Sequence, residues 1–155
     1  MMVYPAWVST TLPLPTNDLS SGKPFTMDLN AVKAAAARTE GRLHLTPLLS
    51  SAGAADALRR SSGIVIGDGR VRLKSEHLQH TGSYKVRGML NRVVAFIDHF
   101  GLDEVKRRGI VTFSAGNAAA AYAWAGRSFG IPVRVVMPKS AVPAKIAACR
   151  AYGAE

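Results

Sequence analysis

The sequence predicts an α/β protein built from parallel βαβ units and cut off before its sheet is complete. Three observations lead there. From residue 102 onward, short apolar runs alternate with helical periodicity in the order α-β-α-β-α, the pattern of a parallel sheet with crossover helices. Glycines at 101, 109, 130 and 153 punctuate the changes of element. The last of them follows a helix and leads into Ala154-Glu155, where a further strand is expected, and two parallel strands do not bury both faces alone. The chain therefore reads as a fragment, or as one whose missing strands come from a partner.

Taken in order, residues 1–26 place Pro5, Pro13, Pro15 and Pro24 among Ser, Thr and Asn and predict an irregular arm, with Trp7 and Leu14 as docking candidates. Asp28 is a capping residue for a helix over 29–38, with Leu29, Val32 and Ala36 on one face and Gly41 as its stop. Residues 43–49 are extended around Pro47. A short helix is expected over 54–60. Strands at Ile64-Val65-Ile66 and 71–74 are expected to form a hairpin about Gly67-Asp68-Gly69. A polar loop follows over 76–82. Ser83 is then the N-cap of an amphipathic helix running to Phe100. Next come a helix over 102–108, a buried strand over 110–113 and the turn Ser114-Ala115-Gly116-Asn117. An alanine-rich helix to Phe129, a strand over 133–137 and a helix over 141–152 complete the chain. The expected division is an arm (1–26), a segment carrying the lysine helix (27–100), and the start of a smaller α/β unit (101–155).

At 155 residues the chain has the length of one ordinary domain, and its 48% hydrophobic content is globular. Twenty Lys and Arg against ten Asp and Glu leave +10, which invites a nucleic-acid reading. The basic residues are scattered, however, with no aromatic-interleaved stripe, so nucleic acid is not the expected partner. No apolar run reaches the length of a membrane span. The first basic residue is Lys23 and the lone cysteine is Cys149, so a signal peptide is not expected and a reducing, cytoplasmic location is. His44, His77, His80 and His99 lack metal-ligand spacing.

Two stretches carry candidate chemistry. In Thr81-Gly82-Ser83-Tyr84-Lys85-Val86-Arg87-Gly88, Lys85 falls in the first turn of a helix, where the dipole disfavours a cation. The neutral amine is the form that Schiff-base chemistry uses. Taken alone, the octapeptide is better read as a surface lysine that tolerates a poor position. In Ser114-Ala115-Gly116-Asn117, a strand, a tight turn and a helix N-terminus offer free backbone N–H groups to an anion. Gly116 permits close approach, and Asn117 adds a side-chain donor. Taken alone, this turn fits an ordinary helix cap.

Together with Thr46-Pro47-Leu48, the run from Leu73 to Gln79, Val136-Met137-Pro138 and Gly153-Ala154-Glu155, these stretches resemble the fold-type II pyridoxal-phosphate enzymes, nearest the threonine dehydratase and serine racemase group. The resemblance covers about residue 27 onward. It implies that Lys85 holds pyridoxal 5'-phosphate as a Schiff base and then acts as the base for the substrate α-proton. It also implies that Ser114, Ala115, Gly116 and Asn117 grip the substrate carboxylate, that Asn117 reaches the cofactor ring, and that Tyr84 packs beside it. Phenylalanine is usual in the family where Tyr84 stands, and histidine often follows the turn where Ala118 stands here. Serine racemases carry serine at the position of Ala115, as the acid/base of the opposite face. Alanine there points to β-elimination from threonine or serine, giving a 2-oxo acid and ammonia. The family's glycine-rich phosphate loop and its pyridine-nitrogen partner are expected beyond residue 155, so weak cofactor retention by these residues alone is expected. A homo-oligomer is expected of the full-length form. The alternatives are threonine synthase, a cysteine-synthase-type replacement enzyme, or a non-catalytic fragment that binds an amino acid or a sister subunit.

Overall fold

The computed structural model describes residues 28–155. The arm over 1–26, with Trp7 and Leu14, lies outside the described residues. Helix α1 (Leu29–Thr39) opens at Asp28, whose carboxylate accepts from Ala31 N at 2.7 Å, as its capping chemistry predicts. It lies against α3 (Lys85–Phe100), tied there by Arg38 to Asp98 at 3.5 Å.

Strand β1 (Leu48–Ser51), helix α2 (Ala52–Ser62) and strand β2 (Val71–Lys74) follow. Here the structure corrects the sequence. Ile64-Val65-Ile66 forms no strand, and β2 pairs antiparallel with β1, Leu48 opposite Lys74 and Ser51 opposite Val71. The turn itself exists, since Gly69 N donates to Ile66 O at 2.9 Å. It joins β2 to an open loop, and the strand paired with β2 is β1. Ile64 and Val65 are 51% and 75% exposed, so no buried face rewards them for pairing.

The loop 76–82 contains two 3₁₀ turns, Glu76–Leu78 and His80–Gly82, and delivers the chain to α3. Val86, Leu90 and Val93 are fully buried along one stripe of that helix. Gly101 ends it at φ 79°, and α4 (Leu102–Arg108) begins at once.

Strands β3 (Ile110–Phe113) and β4 (Val133–Val136) pair in parallel, Ile110 opposite Val133, across α5 (Asn117–Phe129). This is the βαβ unit the alternation predicts. On the other edge of β4, Glu155 N donates to Val133 O at 3.0 Å and Val135 N donates to Glu155 O at 2.7 Å. That is the bonding of a further parallel strand beginning where the sequence expects one. Helix α6 (Pro143–Ala151) connects the two.

One hydrophobic cluster joins α3, α4, α5 and the β3–β4 sheet, from Leu90 and Val93 to Cys149 and Ala154. Cys149 sits in this core, as its place on an apolar helix face predicts, and burial raises its thiol pKa. Alanines 119, 120, 121, 123 and 125 of α5 are at most 5% exposed and let the helix lie close to its neighbours. At Gly126 the approach is closest, since a Cβ would stand 2.2 Å from Val133 Cγ2. None of the described helices is long and apolar enough to cross a membrane.

Candidate active site

Lys85 occupies the first turn of α3, the position read from the sequence. Ser83 is extended, and its Oγ accepts from Lys85 N at 3.4 Å, so it caps the turn although Tyr84 already has helical backbone angles. Lys85 Nζ lies 5.0 Å from the centre of the Tyr84 ring, and Tyr84 is itself exposed. Four residues earlier, Thr81 holds φ 62°, a left-handed conformation that is rare for a β-branched residue. Its Oγ1 is buried without a hydrogen-bond partner among the described residues. Strain of this kind gathers at functional sites, where surrounding structure holds it in place.

Surrounding structure here is a polar network that sequence reading left without a role. Arg87, two residues after Lys85, donates to both oxygens of Glu76, Nε to Oε2 at 2.8 Å and Nη2 to Oε1 at 2.7 Å. Thr46 Oγ1 donates to Glu76 Oε1 at 2.7 Å, and Lys74 Nζ donates to Thr46 O at 2.6 Å. Gln79 holds the backbone of His44 in both directions, accepting from its N–H at 3.0 Å and donating to its carbonyl at 2.8 Å. Thr46, Ser75, Gln79 and Ser83 are all buried. The Arg87 hydrogen bonds hold the Glu76 carboxyl down at about 2, against the opposing pull of burial. Nearby, His80 packs between the His44 ring at 3.8 Å and the Trp124 ring of α5 at 4.4 Å. Burial, and then His44, lower its pKa. The sequence signal was available: buried polar groups need partners, and the stretch leading into the helix is dense in them.

The turn at 114–117 joins β3 to α5. Ser114 N donates to Val136 O at 3.2 Å, and Ser114 Oγ accepts from Gly116 N at 3.2 Å. Gly116 is the N-cap residue of α5; Ala119 N donates to Gly116 O at 3.1 Å, and the N–H groups of Asn117 and Ala118 lack partners within the helix. A Cβ on Gly116 would meet no protein atom within 4 Å, and its φ of −134° needs no glycine. Internal packing therefore does not explain the glycine. Asn117 Oδ1 accepts from Lys145 Nζ of α6 at 2.5 Å, a contact the sequence did not announce. Ala115 and Asn117 are exposed.

The structure thus places Lys85 and the Gly116 turn at the starts of α3 and α5, two helices that pack against each other. No hydrogen bond joins the two groups among the described residues. No cluster of three metal-ligating side chains occurs among those residues either.

A parallel βαβ unit with a glycine turn after its first strand, packed on a helix that begins with a lysine, defines a class: mixed α/β proteins built on a parallel sheet with crossover helices. Within that class, the chain belongs to the pyridoxal-phosphate dependent enzyme family, whose family model matches residues 32–155. It is 40% identical over 121 residues to the L-threo-3-hydroxyaspartate ammonia-lyase of a Pseudomonas species, covering 77% of this chain and 33% of that protein. It is 44% identical over 87 residues to the L-threonine ammonia-lyase of Thermotoga maritima, covering 56% of this chain and 20% of that one. Among solved structures it resembles a pyridoxal 5'-phosphate-dependent aspartate racemase, with TM-score 0.71 and 33% identity, covering 86% of this chain and 38% of that chain. The chain spans a third or less of the length of these two curated relatives. Lyases and racemases both stand among its relatives.

Proposed function

We propose that the protein is a pyridoxal-phosphate dependent ammonia-lyase acting on threonine or serine, and that this chain is its N-terminal portion. The observation that carries the reading is Lys85 in a capped first turn of α3, with the Gly116 turn opening the adjacent α5. The donor set suits the cofactor in part. Lys85 offers an amine, Asn117 an amide, and Gly116 a place free of side chain. No described residue is assigned to the phosphate.

Bound there, pyridoxal phosphate supplies an electron-withdrawing ring that stabilises charge at the substrate Cα. Lys85 Nζ would hold the cofactor and, as a free amine, would take the α-proton. The first-turn N–H groups of α5, with Ser114 and Asn117, bind the substrate carboxylate and orient the α-proton. Tyr84 would flank the ring. Ala115 has no hydroxyl with which to return a proton from the opposite face, which favours elimination over racemisation. Loss of the β-hydroxyl as water, followed by hydrolysis, yields a 2-oxo acid and ammonia. The full-length form is read as a cytoplasmic homo-oligomer without a nucleic-acid partner.

The test is release of ammonia and 2-oxobutanoate from threonine by the full-length protein. Lys85→Ala is expected to abolish it, and undiminished turnover in that variant would end the proposal. Racemisation of serine without elimination would favour the racemase reading instead.

A further inference from the structure

We propose that Glu76 and Arg87 are positioning residues that set the direction in which Lys85 leaves α3; this rests on the reading of Lys85 given above. In a helix of 3.6 residues per turn, residues two apart point about 200° away from one another. A clamp on Arg87 therefore does not cover Lys85. It fixes the rotation of the first turn about its own axis, and with it the path of the Lys85 side chain. The clamp has the geometry such a role needs. Two parallel hydrogen bonds between guanidinium and carboxylate, at 2.8 Å and 2.7 Å, fix angle as well as distance. A single lysine contact would leave that angle loose.

The carboxylate is itself held. Thr46 Oγ1 donates to it at 2.7 Å, Thr46 is 4% exposed, and Ser75 N, beside Glu76, donates to Pro47 O at 3.0 Å. The support thus runs from the segment before β1, through Glu76, to α3. This support matters because the helix start is otherwise weak. Ser83 caps it with one long bond of 3.4 Å, and the chain arrives through Thr81, strained at φ 62°. A strained approach persists only where neighbouring contacts over-determine it.

The experiment uses the full-length protein loaded with pyridoxal phosphate. Borohydride reduction fixes the cofactor to its lysine, and peptide mass spectrometry measures the rate and site of capture. Visible-range circular dichroism of the bound cofactor reports whether its orientation is fixed, and thermal melting reports folding. In Glu76→Gln and Arg87→Lys, the rate of capture at Lys85 is expected to fall about ten- to a hundredfold, as misplacement of a reacting group does. The cofactor's circular dichroism should collapse while most of the protein stays folded. Glu76→Asp should recover part of both signals. Thr46→Val, which removes the hydroxyl's bond to Glu76 and the longer one it accepts from Arg87, should shift both signals the same way by less, and it serves if Glu76→Gln fails to fold. Capture and circular dichroism equal to wild type in folded variants would overturn the proposal while leaving the assignment of Lys85 intact. Absence of capture at Lys85 in the wild type would overturn both.

Discussion

Acid should unlock the Glu76–Arg87 clamp in a pH window that the structure defines. The Glu76 carboxyl is held at about 2, against an ordinary value of 4.5. A carboxylate with a depressed folded pKa stabilises the protein above its unfolded value, and that stability is lost as pH falls toward the folded value. The difference between the two values sets a ceiling of about 3 kcal/mol at neutral pH. The Arg87 side chain is 40% exposed, so solvent screening reduces this to about 1–2 kcal/mol. The perturbation is Glu76→Gln, which keeps the shape and removes the charge. Urea unfolding followed by far-ultraviolet circular dichroism, from pH 7 down to about pH 2, gives the stability gap between wild type and variant. That gap should hold at its full value above about pH 5 and close as pH falls toward about 2. The variant subtracts Glu104, also held at about 2 by Arg107 and Arg108, which titrates over the same range. A gap independent of pH, or one that widens in acid, would refute the argument.

Three further outcomes are expected. Gly126→Ala should destabilise the fold by about 1–3 kcal/mol in chemical denaturation despite the better helix propensity of alanine, because its Cβ would stand 2.2 Å from Val133 Cγ2 and 3.0 Å from Ile131 O; a gain in stability would show that α5 and β4 can separate at no cost. Leu90→Ala should cost about 2–5 kcal/mol, since Leu90 is fully buried in the cluster that joins α3 to α5; an effect under about 1 kcal/mol would mean that this contact is not intact in solution. His80, packed between His44 and Trp124, should take up its proton in a nuclear magnetic resonance titration below the ordinary 6.5, with stability complete above that value and declining as pH falls beneath it; a midpoint at or above 6.5 would contradict the packing.

Much of this protein could be read from the chain alone, for a physical reason. Capping residues, glycine stops and apolar periodicity act over a few residues, so the starts of α1, α3 and α5 and the βαβ alternation are local properties. Asp28, Ser83 and the 114–117 turn therefore stand where the residues predict. Pairing is not local. Ile64-Val65-Ile66 has strand-forming side chains, but a strand also needs an edge and a buried face. One edge of β2 is paired with β1, a strand that α2 separates from it in sequence, and the exposed Ile64 and Val65 have no buried face that would bring them to the other.

The same distinction divides the site. The chemistry proposed for Lys85 and for the Gly116 turn rests on residue type and on position at a helix start, which the sequence determines by itself. What only the tertiary structure decided is what surrounds them. Arg87 meets Glu76 and Thr46 across distant stretches of chain, Lys145 reaches Asn117 from α6, and α5 lies against α3. Those contacts depend on how helices and loops pack, and packing is set by the shared burial of many side chains rather than by any one stretch of sequence.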